Sequence, residues 1–148
     1  MLKPKVYIKE SNIVREVEII NFHEKIVDVS INDNTDFISN IISQIPEFFA
    51  TEQFDFDEVE FMENTGMKDK NGKYIYEGDI VTVNGTWDCI IEYNQSSCAF
   101  VLKSIDSRWS TGYFSNYEDI EEMLEVIGNI YENKELLEID KTNQKADI

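Results

Sequence analysis

The chain has 148 residues, of which 42% are hydrophobic and 12% aromatic, and it carries a formal net charge of −17. A chain of this length fits one domain and buries roughly 70% of its unfolded surface, so the high charge alone does not indicate disorder. The acidic balance repels phosphate backbones and anionic lipid, which disfavours direct nucleic-acid binding and membrane-surface binding.

Three segments near the N terminus alternate apolar and polar residues: 5–9, 13–22 and 25–31. A period of two is typical of strands with one buried face, and the short connections predict an antiparallel meander. Residues 37–49 instead carry apolar side chains at helical spacing, and Thr35 or Asp36 suits the N-cap position before them. We expect a short helix there, ended or distorted by Pro46, that lies across the meander.

The segment 47–63 combines seven acidic residues and five phenylalanines with no lysine or arginine. One interpretation is an edge strand with one hydrated face. The other is a linker whose aromatic side chains dock into a partner or a second subunit. The composition fits both interpretations, and we favour the edge strand.

Two Asn-Gly pairs, Asn71-Gly72 and Asn84-Gly85, indicate tight hairpins in the middle of the chain. Both pairs are typical of type I′ turns, in which the two central residues have positive φ. Each pair is flanked by residues that favour an extended backbone, so each predicts a strand, a turn and a returning strand.

Another turn is predicted at Gly78, which suits a backbone conformation closed to other residues, and at Asp79, which can accept hydrogen bonds from nearby amides. The β-branched residues 80–83 then favour a strand, and residues 87–93 return beside it. This order of turns and strands is similar to the entry of a small SH3-like barrel.

The remaining predicted elements are a strand at 99–105, a loop or bulged strand at 108–117, an acidic turn at 118–123, a closing strand at 125–131 and a last turn at 135–137. No internal repeat is evident. We expect an α+β fold of mostly antiparallel β structure. Its predicted parts are an N-terminal meander with a helix and an acidic aromatic linker (1–62), a C-terminal SH3-like β-barrel (63–140) and a frayed tail (141–148).

Two long motifs resemble the YopX family of bacteriophage and prophage proteins. They are TGMKDKNGKYIYEGDIV at residues 65–81 and EVIGNIYENKELL at residues 125–137. Their order also fits the family, and the resemblance extends over most of the chain. It implies the family's fold and a phage setting. Because the family has no established activity, the resemblance implies no catalytic residues.

Candidate catalytic and metal-binding residues are few. His23 is the single histidine, so any histidine-based triad would have to use it. The shortage of histidine and cysteine ligands disfavours a zinc site. Asp55 and Asp57 offer carboxylates to a divalent cation, and Glu77 with Asp79 offers an acid and base pair. We interpret the first two as solvated charges and the second pair as turn residues. The prediction is therefore no catalytic, cofactor-binding or metal-binding residue, and no cofactor.

Cys89 and Cys98 are the only cysteines. They have no CxxC spacing, so we expect two buried free thiols in a reducing compartment. A turn through residues 94–97 would place Tyr93 opposite Cys98 and Cys89 near Leu102.

Nucleic-acid recognition has two sets of candidates. The cationic set is Lys68, Lys70, Lys73, Lys103 and Arg108. The aromatic set, a possible stacking platform, is Trp87, Tyr93, Phe100, Trp109, Tyr113, Phe114 and Tyr117. We favour a solvated turn for the hairpin lysines and a packing role for the aromatics.

These observations predict a phage- or prophage-encoded interaction protein rather than an enzyme. Its partner is an unidentified protein, and we expect it to form a homo-oligomer. No apolar run approaches the roughly 20 residues of a membrane-spanning helix, and the first residues lack the apolar core of a secretory signal, so we expect a cytoplasmic protein of the bacterial host cell. The alternative is a protein of nucleic-acid metabolism that binds nucleic acid or mimics it through its acidic surface. A metal-dependent hydrolase is a third hypothesis, which requires Asp55, Asp57, Glu77 or Asp79 to converge.

Overall fold

The structure, a computed structural model, describes residues 2–30, 51–106, 112–114 and 118–138. The chain divides into two compact units, Met1–Glu63 and Asn64–Ile148. The helix predicted at 37–49 and the tail predicted at 141–148 lie outside the described residues. Within the described ranges, no helix combines the length and apolar character that crossing a bilayer requires.

The first unit contains a five-stranded antiparallel sheet with the strand order β4-β3-β2-β1-β5. Its strands are β1 (Lys5–Ile8), β2 (Ile13–Asn21), β3 (Ile26–Ser30), β4 (Thr51–Asp55) and β5 (Val59–Met62). The first three strands confirm the predicted meander. Alternate residues of β1 and β3 are buried, as their period of two requires. A 3-10 helix, Phe56–Glu58, connects β4 to β5.

The second unit contains a five-stranded antiparallel sheet with the order β11-β10-β9-β8-β12 and a separate two-stranded sheet, β6-β7. The strands are β6 (Asn64–Lys68), β7 (Tyr74–Tyr76), β8 (Asp79–Val83), β9 (Trp87–Asn94), β10 (Ala99–Ser104), β11 (Gly112–Tyr113) and β12 (Leu124–Asn129). One helix, α1 (Ile120–Met123), precedes β12. All five residues of β8 are buried, and this strand lies between β9 and β12 in the sheet.

The SH3-like barrel predicted for 63–140 is wrong. A closed barrel needs hydrogen bonds between its first and last strands. In the second unit, β11 and β12 are the outer strands, and each pairs with only one neighbour, β10 or β8. Since β11 has only two residues, it offers little ladder for closure. The fold is therefore mostly antiparallel β structure in open sheets, with one short α-helix in the described part of the chain.

The two Asn-Gly pairs form different turns. Asn84 and Gly85 both have positive φ, 52° and 72°, which confirms the predicted type I′ geometry. At the other pair only Gly72 has positive φ, 80°, so the type I′ prediction for Asn71-Gly72 is wrong. That loop is instead organised by the Asp69 side chain, which accepts hydrogen bonds from the backbone N–H groups of Asn71 and Lys73.

Both units repeat one topology. In each, four strands form a meander, a single helical turn follows, and a fifth strand returns to pair with the first. The residue after the first strand donates its N–H to the last residue of the helical turn: Lys9 to Glu58 at 3.1 Å and Asn84 to Met123 at 2.9 Å. The repeat is not evident in the sequence because the connections between the third and fourth strands differ in length. They are residues 31–50 in the first unit and residues 105–111 in the second.

The two thiols lie in different environments, which corrects the prediction that both are buried. Cys89 is buried and Cys98 is exposed, and neither forms a disulfide. Cys98 has a positive φ of 52° in the loop between β9 and β10. The turn lies at residues 95–98, one position later than predicted, so the register shifts and Tyr93 lies opposite Phe100 and Cys89 opposite Ser104.

Thiol reactivity should follow this difference. Burial and the nearby charge of Asp88 raise the pKa of Cys89 to about 12, and the thiolate is the reactive form. With a disulfide reagent at mildly alkaline pH, we expect the native protein to react quickly at Cys98 alone. Cys98→Ser should abolish the fast reaction, and unfolding in guanidinium should expose both thiols. Fast modification of Cys89 in the native Cys98→Ser variant would contradict this expectation.

Candidate interaction surface

The turn between β2 and β3 projects an aromatic side chain into solvent. The Asn21 side-chain oxygen accepts hydrogen bonds from the backbone N–H groups of His23 at 3.1 Å and Glu24 at 3.0 Å. Lys25 closes the turn with a positive φ of 57°. Phe22 lies within this fixed turn and is 75% exposed. Large apolar groups in such positions are typical of contact sites when they join a larger patch.

Phe22 is the outer member of a row of three rings, which we call the aromatic ladder: Phe22, Phe56 and Phe61. The Phe22 and Phe56 centroids lie 6.1 Å apart with the rings at 86°, and those of Phe56 and Phe61 lie 5.2 Å apart at 84°. These edge-to-face arrangements are the favoured geometry of aromatic pairs. Phe56 and Phe61 also pack against the buried core of the first unit. The ladder therefore extends from the core to the solvent.

The second unit provides an internal comparison for this turn. Between β9 and β10, the Asn94 side-chain oxygen accepts the backbone N–H groups of Ser96 at 2.9 Å and Ser97 at 3.4 Å. Cys98 then has the positive φ that Lys25 has in the first unit. Where the first unit has Phe22, the second has the exposed polar residue Gln95. The turn itself thus does not require an aromatic residue at this position.

Three carboxylates lie beside the ladder and form what we call the acidic cluster: Asp55, Asp57 and Glu58. Their oxygens lie within 4.8 Å of one another, and all three side chains are exposed. Desolvation, and then the charges of Asp55 and Asp57, raise the pKa of Glu58. The structure brings the predicted pair Asp55 and Asp57 together and adds Glu58, which the sequence analysis had not proposed. Carboxylates of this kind suit a hard cation, but exposed acidic groups are common without one.

His23 lies in the same turn and is exposed. Its backbone N–H, rather than its ring, makes the hydrogen bond to Asn21.

Glu77 and Asp79, proposed as an acid and base pair, flank a buried turn. An oxygen of the Asp79 carboxylate accepts the backbone N–H of Tyr76 at 2.8 Å. Gly78 has a φ of 89°, and its N–H donates to the carbonyl of Ile91 at 2.8 Å. The predicted roles of Gly78 and Asp79 in the turn are confirmed.

Asp69 connects two parts of the second unit and is 5% exposed. One carboxylate oxygen accepts N–H groups of Asn71 and Lys73, both at 2.9 Å, and the other accepts that of Val126 at 3.0 Å. Burial alone would raise the pKa of Asp69, but these three hydrogen bonds and the charge of Lys73 lower it. The sequence pattern indicates only a hairpin tip here and does not predict the hydrogen bond from Val126 of β12 to Asp69.

The second motif is held in a similar way. The Asn129 side-chain oxygen accepts the backbone N–H groups of Tyr131 at 3.0 Å and Glu132 at 2.8 Å. The Asn133 side-chain oxygen accepts the backbone N–H of Asn129 at 3.1 Å. A methyl group on Gly128 would lie 2.6 Å from that Asn133 oxygen, so glycine leaves the space for this contact.

The family described as "YopX protein" matches residues 5–138 of the chain. The chain belongs to the YopX family. This result confirms the resemblance inferred from the two motifs.

Two solved structures are similar to this YopX-family chain. Protein EF1440 from Enterococcus faecalis is 24% identical with a TM-score of 0.54, and the match covers 92% of this chain and 97% of EF1440. Protein yopX from Bacillus subtilis is 16% identical with a TM-score of 0.47, and the match covers 94% of this chain and 98% of that protein. The likeness to EF1440 shows a shared fold. No curated protein matches the chain.

Three of the four described lysines that were proposed for phosphate binding in this YopX-family chain contact acidic or aromatic side chains. Lys70 pairs with Glu125 at 3.0 Å and Lys103 with Glu92 at 3.5 Å. The ammonium group of Lys68 lies 4.9 Å from the ring centre of Tyr74. Arg108 lies outside the described residues. The glutamates offset the charge that Lys70 and Lys103 would offer to a phosphate.

The proposed stacking platform is only partly described, because Trp109 and Tyr117 lie outside the described residues. Tyr93 and Phe100 pack edge to face, with centroids 5.5 Å apart and rings at 70°. The two rings are not parallel, so they do not form one continuous flat surface on which successive bases could stack.

Proposed function

We propose that this YopX-family protein is a phage- or prophage-encoded, non-enzymatic interaction protein that acts through protein contacts in the bacterial host cytoplasm. The exposed aromatic ladder is the observation that carries this proposal. Its outer member, Phe22, adds apolar surface where the equivalent turn of the second unit has glutamine. The polar side chains of the two family motifs support a non-enzymatic role. Asp69, Asp79 and Asn129 accept hydrogen bonds from backbone N–H groups of their own unit, which is a structural role.

The test is site-specific photo-crosslinking inside bacterial cells. A benzophenone amino acid placed at position 22 should form a reproducible crosslink to a partner protein. The matched control places it at position 95, which has the same turn geometry but no ladder, and we expect no such product there. Equal crosslinking at both positions, or none at position 22, would contradict the proposed contact.

Self-association is the second part of the proposal. Large apolar side chains are exposed on both units, including Ile19 on the first and Tyr93 and Ile127 on the second. Covering such surface stabilises homo-oligomers, but a chain with a net charge of −17 repels its own copies. Because salt screens this repulsion, we expect the mass measured by light scattering to rise with protein concentration and with salt. A monomer at every concentration and salt level would rule self-association out.

A role in nucleic-acid metabolism is the second candidate function. The contacts of Lys70 and Lys103 with glutamates disfavour binding, while the acidic cluster favours mimicry of a phosphate backbone. Mimicry predicts that the protein displaces DNA from a host DNA-binding protein and gives no gel shift with DNA alone at low salt. A gel shift with DNA alone would favour binding instead.

A further inference from the structure

We propose that the aromatic ladder and the acidic cluster together dock a cationic segment of another protein that also carries large apolar side chains. This inference rests on the proposed function and specifies the partner's chemistry. Its occupant is a lysine- or arginine-rich polypeptide, rather than a nucleic acid or a second copy of this chain.

The ladder has the rigidity that a docking surface needs. Phe22 contacts Phe56, Phe56 contacts Phe61, and both inner rings pack on the core of the first unit. The backbone beneath Phe22 is fixed by the two hydrogen bonds to Asn21. A preformed aromatic group loses little conformational entropy on binding, so more of its contact energy remains as affinity. This geometry favours an apolar side chain of the partner against Phe22.

The acidic cluster specifies the charge of the partner. Phe56 stands between Asp55 and Asp57 in the chain, and Phe56–Glu58 forms one 3-10 turn. Residues three apart lie on the same side of such a turn, as Asp55 and Glu58 do, and their oxygens and that of Asp57 lie within 4.8 Å of one another. The ladder therefore has a negatively charged border.

The three carboxylates of this border form no ion pair within the described part of the chain. No lysine or arginine described here pairs with Asp55, Asp57 or Glu58. The nearby Lys9 instead donates to the Asp57 backbone carbonyl at 3.0 Å and pairs with Glu60 at 3.5 Å. Three close carboxylates repel one another, and a cation brought by a partner relieves that repulsion. A second copy with a net charge of −17 would increase it.

The surface also lies at one defined end of the sheet. Ile26 and Asp55 pair at the end that carries the ladder, whereas Ser30 and Thr51 pair at the other end. Four residue steps along β3 separate the two ends by roughly 13 Å. β3 ends at Ser30 and β4 begins at Thr51, both at the end of the sheet opposite the ladder.

Fluorescence anisotropy with three labelled synthetic peptides tests the inference. One alternates lysine with leucine, one lysine with serine, and one glutamate with leucine. We expect the lysine and leucine peptide to bind about tenfold more tightly than the lysine and serine peptide, and the glutamate peptide not to bind. Phe22→Gln, which copies the residue of the equivalent turn, should remove the preference for leucine.

Charge specificity needs a matched control, because any lysine peptide is attracted to so acidic a protein. The test variant Asp55→Asn, Asp57→Asn, Glu58→Gln should weaken binding about tenfold at low salt and reduce its salt dependence. The control variant Glu118→Gln, Glu121→Gln, Glu122→Gln removes the same charge from exposed residues of the second unit and should change affinity less than about twofold. Circular dichroism should show that every variant is folded.

The inference is overturned if the two triple variants bind equally, or if folded Phe22→Gln keeps the leucine preference. It is also overturned if Phe22→Gln dissociates a homo-oligomer without changing peptide binding, since the occupant is then a second copy. A crosslink at position 22 would leave the proposed function standing even if the peptides and the triple variants show no difference in affinity, and that result would reject the cationic occupant. If the affinities differ as expected but position 22 gives no crosslink, the result supports the chemistry of the surface and rejects the cellular role.

Discussion

Asp69→Ala is expected to lower the free energy of unfolding by about 3 kcal/mol, because it removes the acceptor for three backbone N–H groups at once. Two of these groups belong to the loop between β6 and β7, and the third, from Val126, belongs to β12. The variant therefore loosens the loop and its attachment to the sheet together. Urea denaturation followed by circular dichroism measures the change.

The pH dependence separates this role from a general packing role. Burial alone would raise the pKa of Asp69, but its three backbone hydrogen bonds lower the pKa in the folded state, so its ionised form stabilises the protein. That contribution is complete above the unfolded-state pKa of the group and is lost as the pH falls through the lower folded-state pKa. Asp69→Asn should remove this part of the acid sensitivity. Asp88→Asn is the control, since Asp88 is exposed; equal acid sensitivity in wild type and Asp69→Asn would contradict the expectation.

Leu124→Ala should have an effect of similar size for an apolar reason. Leu124 is fully buried in the core of the second unit, at the junction of α1 and β12. Removing its side-chain atoms loses their transfer free energy and leaves a cavity, which together cost about 3–4 kcal/mol. Thermal and urea unfolding should both show the loss.

Ile127→Ala is the matched control on the same strand. Ile127 is 38% exposed, so truncating it removes less buried surface than at Leu124 and creates no enclosed cavity. We expect a loss of about 1 kcal/mol. Equal losses for Leu124→Ala and Ile127→Ala would show that the packing around β12 differs from that described.

The strands were largely predictable because their pattern is local. The period of two in the first three strands and the type I′ turn at Asn84-Gly85 depend on neighbouring residues alone. Sheet closure is different, because it depends on how far the outer strands extend and where they pair. The predicted register of β9 and β10 was wrong for a related reason. Cys98 adopts a positive φ, which sequence reasoning assigns to glycine or asparagine first.

The candidate surface was predictable only in part. The sequence analysis identified the acidic, aromatic segment that contains Phe56, but it placed Phe22 in an alternating strand. The missing signal was the asparagine at position 21, whose side chain organises the turn and so exposes the next residue. Bringing Phe22 onto Phe56 also depends on the pairing of β3 with β4, which no local pattern specifies.

The recurrence of the asparagine-held turn has a practical consequence for protein engineering. In the second unit, Asn94 fixes the backbone from its own side chain, and the positions between it and Cys98 are exposed. Residues 95–97 should therefore accept a randomised peptide library without loss of the surrounding scaffold. A variant selected from such a library would carry a new binding loop, while the surface proposed around Phe22 stays unchanged.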